Sequence, residues 1–82
     1  MKLSIVTPDK TIFEGEVQSS TLPGAGGTFQ VLNNHAPIIS ALEEGILAYQ
    51  MTTGEDNKMN ISGGVVEVSN NTVIVLAESI LD

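Results

Sequence analysis

Short aliphatic runs, each cut off within a few residues by a turn, recur along this chain at near-regular spacing, and a sustained helical period is hard to find. Leu3 and Ile5 alternate with Lys2 and Ser4, as a half-buried strand requires. Pro8-Asp9 then signals a turn. From Thr11 to Val17, Phe13, Gly15 and Val17 share one face and Glu14 and Glu16 the other, with Gly15 marking a bulge or a close backbone approach. Leu22 closes that segment, and Pro23 to Gly27 reads as a flexible loop. Thr28 to Leu32 is a short strand, followed by an asparagine turn at Asn33-Asn34. Ile38 to Leu42 is a place where a helix could start, although Glu43-Glu44-Gly45 stops it within a turn. Ile46 to Met51 and Lys58 to Ser62 form two strands around a polar tip at Thr52 to Asn57. After Gly63-Gly64, Val66 and Val68 flank Glu67, the stretch Ser69 to Thr72 turns, and Val73 to Ala77 is the strongest strand. This pattern predicts an all-β sandwich or barrel, with all 82 residues in one domain.

Size limits how that domain can be stabilised. A chain this short buries only about 60–65% of the surface it exposes when unfolded, and with no cysteine there is neither a disulfide nor a thiolate metal site to help. Packed Val, Ile and Leu, or a partner, must supply the rest. The charge balance excludes several partners. Ten carboxylates face only Lys2, Lys10 and Lys58, so the cations that would displace counterions from a nucleic acid are missing. Adhesion to anionic lipid is disfavoured for the same reason. The longest aliphatic run, Val73 to Ala77, falls far short of the roughly 20 residues that span a bilayer. The start, with one lysine before Pro8-Asp9, does not read as a signal peptide. A cytoplasmic location is expected unless a partner carries the chain elsewhere.

Residues with chemical potential are few and scattered. His35 is the single histidine; zinc needs three or four nitrogen, sulfur or carboxylate ligands, which the sequence does not group around it. A serine–histidine–acid triad is formally possible, but no Gly-x-Ser-x-Gly elbow occurs. His35 is therefore expected to cap a turn and donate a hydrogen bond to backbone. Gly24, Gly26 and Gly27 match neither the dinucleotide fingerprint nor a P-loop, and the calcium-loop pattern is absent. No catalytic residue, metal or cofactor is expected, and binding remains. One form of it, a sugar- or peptide-binding sandwich, needs stacking aromatics, for which only Tyr49 is a plausible exposed candidate.

Taken in order, several of these segments form a specific series. They are Leu3-x-Ile5-Val6-Thr7-Pro8, Phe13-Glu14-Gly15-Glu16-Val17, Leu22-Pro23-Gly24 and Gly27-x-Phe29. His35-Ala36-Pro37-Ile38-Ile39-Ser40-Ala41-Leu42 follows with Gly45, then Ser62-Gly63-Gly64-Val65-Val66-Glu67-Val68, then Asn71-x-Val73-x-Val75-Leu76-Ala77-Glu78. The chain thereby resembles, along nearly its whole length, the N-terminal β-sandwich of the epsilon subunit of F-type ATP synthase, called delta in mitochondria. The resemblance implies a flattened sandwich of roughly ten strands in two sheets. It implies a non-catalytic rotor subunit of the central stalk, peripheral to the cytoplasmic face of the bacterial plasma membrane. Its partners would be the gamma subunit and the proteolipid ring, so that proton transport is coupled to ATP synthesis. By position, Gly26-Gly27-Thr28 corresponds to the ring-facing loop, and His35-Ala36-Pro37 is a candidate for the gamma side.

Two departures from the family pattern stand out. Asn33-Asn34 occupy the place of a Pro-Gly turn and Gln30 that of a glycine; asparagine tolerates left-handed backbone, so the turn is expected to survive. Many bacterial members continue into a two-helix domain that inhibits ATP hydrolysis, and in some it binds ATP. Here Ile80-Leu81-Asp82 comes last and no Arg-Ala motif occurs, so neither the helix-mediated brake nor that ATP site is expected.

Overall fold

The computed structural model describes residues 1–81; Asp82, the last residue of the Ile80-Leu81-Asp82 stretch, lies outside them. Eight strands and no helix make up the described chain: β1 Lys2–Val6, β2 Thr11–Gly24, β3 Gly27–Leu32, β4 Ile38–Leu42, β5 Gly45–Met51, β6 Asp56–Ile61, β7 Gly64–Ser69 and β8 Thr72–Ala77. All pairings are antiparallel except β1 with β8, which is parallel. One layer runs β4-β7-β8-β1 and continues into the first part of β2. The other holds β3, the second part of β2, β5 and β6.

Eight strands replace the expected ten because β2, 14 residues long, serves both layers. Its first part pairs with β1 from Thr11 to Glu16 and its second with β3 from Ser19 to Gly24. Among the described residues, the chain after β8 adds a bridge, Ile80 to Ile61, rather than a further strand.

Alternation decides which side chains meet between the layers. Leu3 and Ile5 of β1, Val66 and Val68 of β7, and Val73, Val75 and Ala77 of β8 point inward from one layer. Leu22, Val31, Leu47, Tyr49 and Ile61 point inward from the other. Fully burying each aliphatic side chain of this kind contributes about 1.5–3 kcal/mol. Ser20 is the one buried polar residue among them, level with Val31 and Tyr49, and its hydroxyl has no hydrogen-bond partner.

Two local expectations change, and a third narrows to one of its two alternatives. Ile38 to Leu42 is strand β4 and starts no helix: two β-branched residues open it, and it pairs with β7 through five successive positions. Pro23 to Gly27 is not a flexible loop. Pro23 and Gly24 are buried in β2 and pair with Thr28 and Gly27, leaving Ala25-Gly26 as a two-residue hairpin turn. Gly15 forms no bulge; the register shifts lie between Ile5 and Val6 and between Val17 and Ser19. Its role is the close approach, since a Cβ there would stand 2.9 Å from Cζ of Phe13.

The asparagine turn survives, with Asn34 at φ 63°. Gly63-Gly64 carries the chain from β6 in one layer to β7 in the other with φ of 139° and 151°. Glycine is required at the second position, where a Cβ would run into the Leu76 carbonyl oxygen.

Candidate functional site

The register of the first layer shows what its outer surface presents. Ile39, Glu67, Ile74 and Ser4 form one outward row across β4, β7, β8 and β1. Ala41, Val65, Leu76 and Val6 form the next. Ile39 is 76% exposed and Leu76 55%, so the face is apolar, open to solvent and interrupted by one carboxylate. At one end Val6, Pro8, Val65 and Leu76 line an open groove of 490 Å³. Single exposed aliphatics are ordinary on protein surfaces, whereas a contiguous patch marks a surface that meets something.

A sequence signal for this face exists in Val73 to Ala77, where alternation stops and every residue is aliphatic. A strand apolar on both faces is one that is covered on both. The fold covers the Val73, Val75 and Ala77 side and leaves Ile74 and Leu76 bare.

The other layer presents a different outer surface. Ser19, Thr21, Gln30, Gln50 and Lys58 line an open depression of 530 Å³. Tyr49 is only 8% exposed, and its ring stacks at 4.5 Å on Phe13. That removes the exposed aromatic on which a sugar-binding reading depended. Burial, and then the nearby Glu55 carboxylate, push the Tyr49 phenol above its ordinary pKa.

The sequence-predicted residues fall at opposite ends of β3. Gly26, Gly27 and Thr28 are exposed at the β2–β3 hairpin tip, with nothing within 4 Å of a Cβ placed on Gly26 or Gly27. His35 is half-buried beyond the other end, while Ala36 and Pro37 are exposed. His35 Nδ1 donates to the Ala36 carbonyl at 2.7 Å, which fixes the ring against its neighbour's backbone. Pro37 adjoins Ile38, Ile39 and Glu67 around a shallow depression of 350 Å³. The histidine segment is thus continuous with the apolar face, which sequence reasoning alone did not single out. The glycine tip stands apart from it: at about 3.3 Å per residue, β3 separates the two by about 17 Å.

Among the described residues, no three of His, Cys, Asp and Glu come together to hold a metal ion. The described residues form a two-layer β-sandwich with one apolar outer face open to solvent. The chain matches the ATP synthase Delta/Epsilon chain β-sandwich domain over residues 1–82, and it belongs to that family.

It is 44% identical over 77 residues to the ATP synthase epsilon chain of Syntrophomonas wolfei, covering 94% of this chain and 56% of that one. It is 42% identical over 79 residues to the epsilon chain of Chlorobium limicola, covering 96% and 90% respectively. Its fold superposes with a TM-score of 0.89 and 26% identity on a chain of the Euglena gracilis mitochondrial ATP synthase solved with OSCP, F1 and the c-ring, covering 96% of this chain and 51% of that one. A chain of the Tetrahymena thermophila mitochondrial ATP synthase central stalk and c-ring shares the fold, with a TM-score of 0.83 at 21% identity. No helix of the described residues is long and apolar enough to cross a membrane.

Proposed function

We propose that this chain is a non-catalytic rotor subunit in the central stalk of an F-type ATP synthase. It joins the gamma subunit to the proteolipid ring and so couples proton transport to ATP synthesis. The 82 residues act as one sandwich domain, held peripherally at the cytoplasmic face of the bacterial plasma membrane by its partners. The observation that carries this reading is the apolar outer face of β4-β7-β8-β1 in a chain of this family. Gamma covers that face, with Ile39 and Leu76 as anchors and His35-Ala36-Pro37 extending the contact at one end. Gly26-Gly27-Thr28 rests on the polar loops of the ring. The separation of these regions along β3 suits a part that must hold two neighbours at once.

Co-expression of tagged chain with the cognate gamma subunit and ring proteins tests the proposal. Recovery of both partners is expected, with gamma lost when Ile39 and Leu76 are both changed to serine. A chain that associates with neither partner overturns the reading.

A further inference from the structure

We infer that Asn71 is the positioning residue that holds the His35-Ala36-Pro37 segment in its docking geometry, acting through the backbone of Asn34 and without touching the partner. This rests on the docking reading above. Between the last β2 pairing of β3, at Leu32, and the first β7 pairing of β4, at Ile38, five residues run without ladder hydrogen bonds. Asn34 lies in this span with φ 63°, a left-handed conformation uncommon outside glycine but accessible to asparagine, and a tie that holds it there fixes the turn.

The support is specific. The Asn34 amide donates to Oδ1 of Asn71 at 2.8 Å, across 37 positions of sequence. Asn71 is itself left-handed, with φ 57°, on the turn between β7 and β8. Its carbonyl also accepts from the Lys2 amide at 3.2 Å. One residue thus joins the start of β1, the β7–β8 turn and the histidine segment. The hydrogen bond of His35 cannot do this, since it reaches only to the next residue. Because the Asn34 amide is a donor, the side-chain atom facing it must be the amide oxygen of Asn71. Docking of a segment already held in place avoids the ordering cost that a loose segment has to meet on binding.

Two variants separate the tie from the fold. Asn71→Gly keeps a backbone that accepts positive φ and deletes the acceptor, while Asn71→Asp keeps an acceptor at the same reach. Asn34 amide exchange is read by NMR, and affinity for the cognate gamma subunit by calorimetry. Asn71→Gly is expected to speed exchange at Asn34 by about tenfold and to weaken gamma binding by about threefold to tenfold. Asn71→Asp is expected to restore both, and the remaining core amides should stay protected in each variant. Unchanged exchange at Asn34 overturns the inference, and so does faster exchange with unaltered affinity. A wild-type chain that fails to bind gamma brings down the docking reading and this inference with it. Wild-type binding that Asn71→Gly leaves intact brings down this inference alone.

Discussion

Replacing Ile39 by serine should separate docking from folding. Ile39 points outward from β4 and keeps 76% of its surface in water. Fully burying an isoleucine is worth about 1.5–3 kcal/mol relative to leaving it exposed. Three-quarters of that contact is still to be made when a partner covers the face, so Ile39→Ser should cost about 1–2 kcal/mol of docking energy. At about 1.4 kcal/mol per factor of ten, the dissociation constant for gamma rises roughly fivefold to thirtyfold. The isolated chain should scarcely notice, because exposed substitutions away from special features usually stay within about 0.5 kcal/mol. In a chain of this size that is about 2–4 °C in melting temperature. The assay pairs calorimetric titration against gamma with thermal unfolding of the free chain, using Thr21→Ala on the polar layer as control. An affinity within twofold of wild type would refute the assignment of this face. So would a loss of affinity accompanied by unfolding, which would make Ile39 a folding residue.

Ser20→Ala should stabilise the chain by about 1 kcal/mol in urea unfolding, because it removes a buried hydroxyl that has no partner. Gly64→Ala should cost about 2–5 kcal/mol, combining a backbone conformation closed to side chains with a collision against the Leu76 carbonyl; Gly26→Ala, in open space, should stay within about 0.5 kcal/mol. The raised Tyr49 pKa means that the unfolded chain gives up its phenolic proton first. Stability should therefore be unaffected by this group below about pH 10 and fall as pH rises past it. Tyr49 is the single tyrosine, so tyrosinate absorbance should titrate above the ordinary value, and Tyr49→Phe should abolish that loss of stability. Finally, these 82 residues added to the rest of the enzyme should restore coupling without slowing ATP hydrolysis; an ATPase assay showing strong inhibition would contradict this.

Most of the fold was legible because the alternation was clean. Leu3/Ile5 and Phe13-Glu14-Gly15-Glu16-Val17 announce strands whose inner and outer faces differ, with Pro8-Asp9 between them and the Asn33-Asn34 turn beyond β3. The misreadings share a cause. Ile38 to Leu42 is too short for periodicity to separate strand from helix, and five pairings to β7 settle it as strand. Pro23 and Gly24 carry loop composition, yet pairing with Thr28 and Gly27 draws them into β2. Tyr49 could not be placed from sequence because its exposure depends on Phe13, which faces it from distant sequence. The apolar face was hidden for a related reason. Ile39, Val65, Ile74 and Leu76 come from three separate strands and become neighbours only once the register is known. The histidine segment was legible as a turn, but its tie to Asn71 spans 37 positions and leaves no local trace.

On the proposed reading, a subunit that couples rotation has to resist deformation between its two contacts, and the strand connectivity of this chain suits that demand. Force applied at the β2–β3 tip would pass into β2, which pairs with β1, β3, β4 and β5 and would therefore distribute it over both layers. The layers are joined again at Gly63-Gly64 and by the bridge between Ile61 and Ile80. Between them lies a core of interlocked aliphatics, and interiors packed in this way compress little and transmit strain. The five residues from Asn33 to Pro37 lie outside the ladders and adjoin the apolar face. A tie from Asn71 to Asn34 is placed where it would oppose yielding there. On that reading the stiffness of the path between the two contacts would rest in part on this turn, tied across the sequence by Asn71.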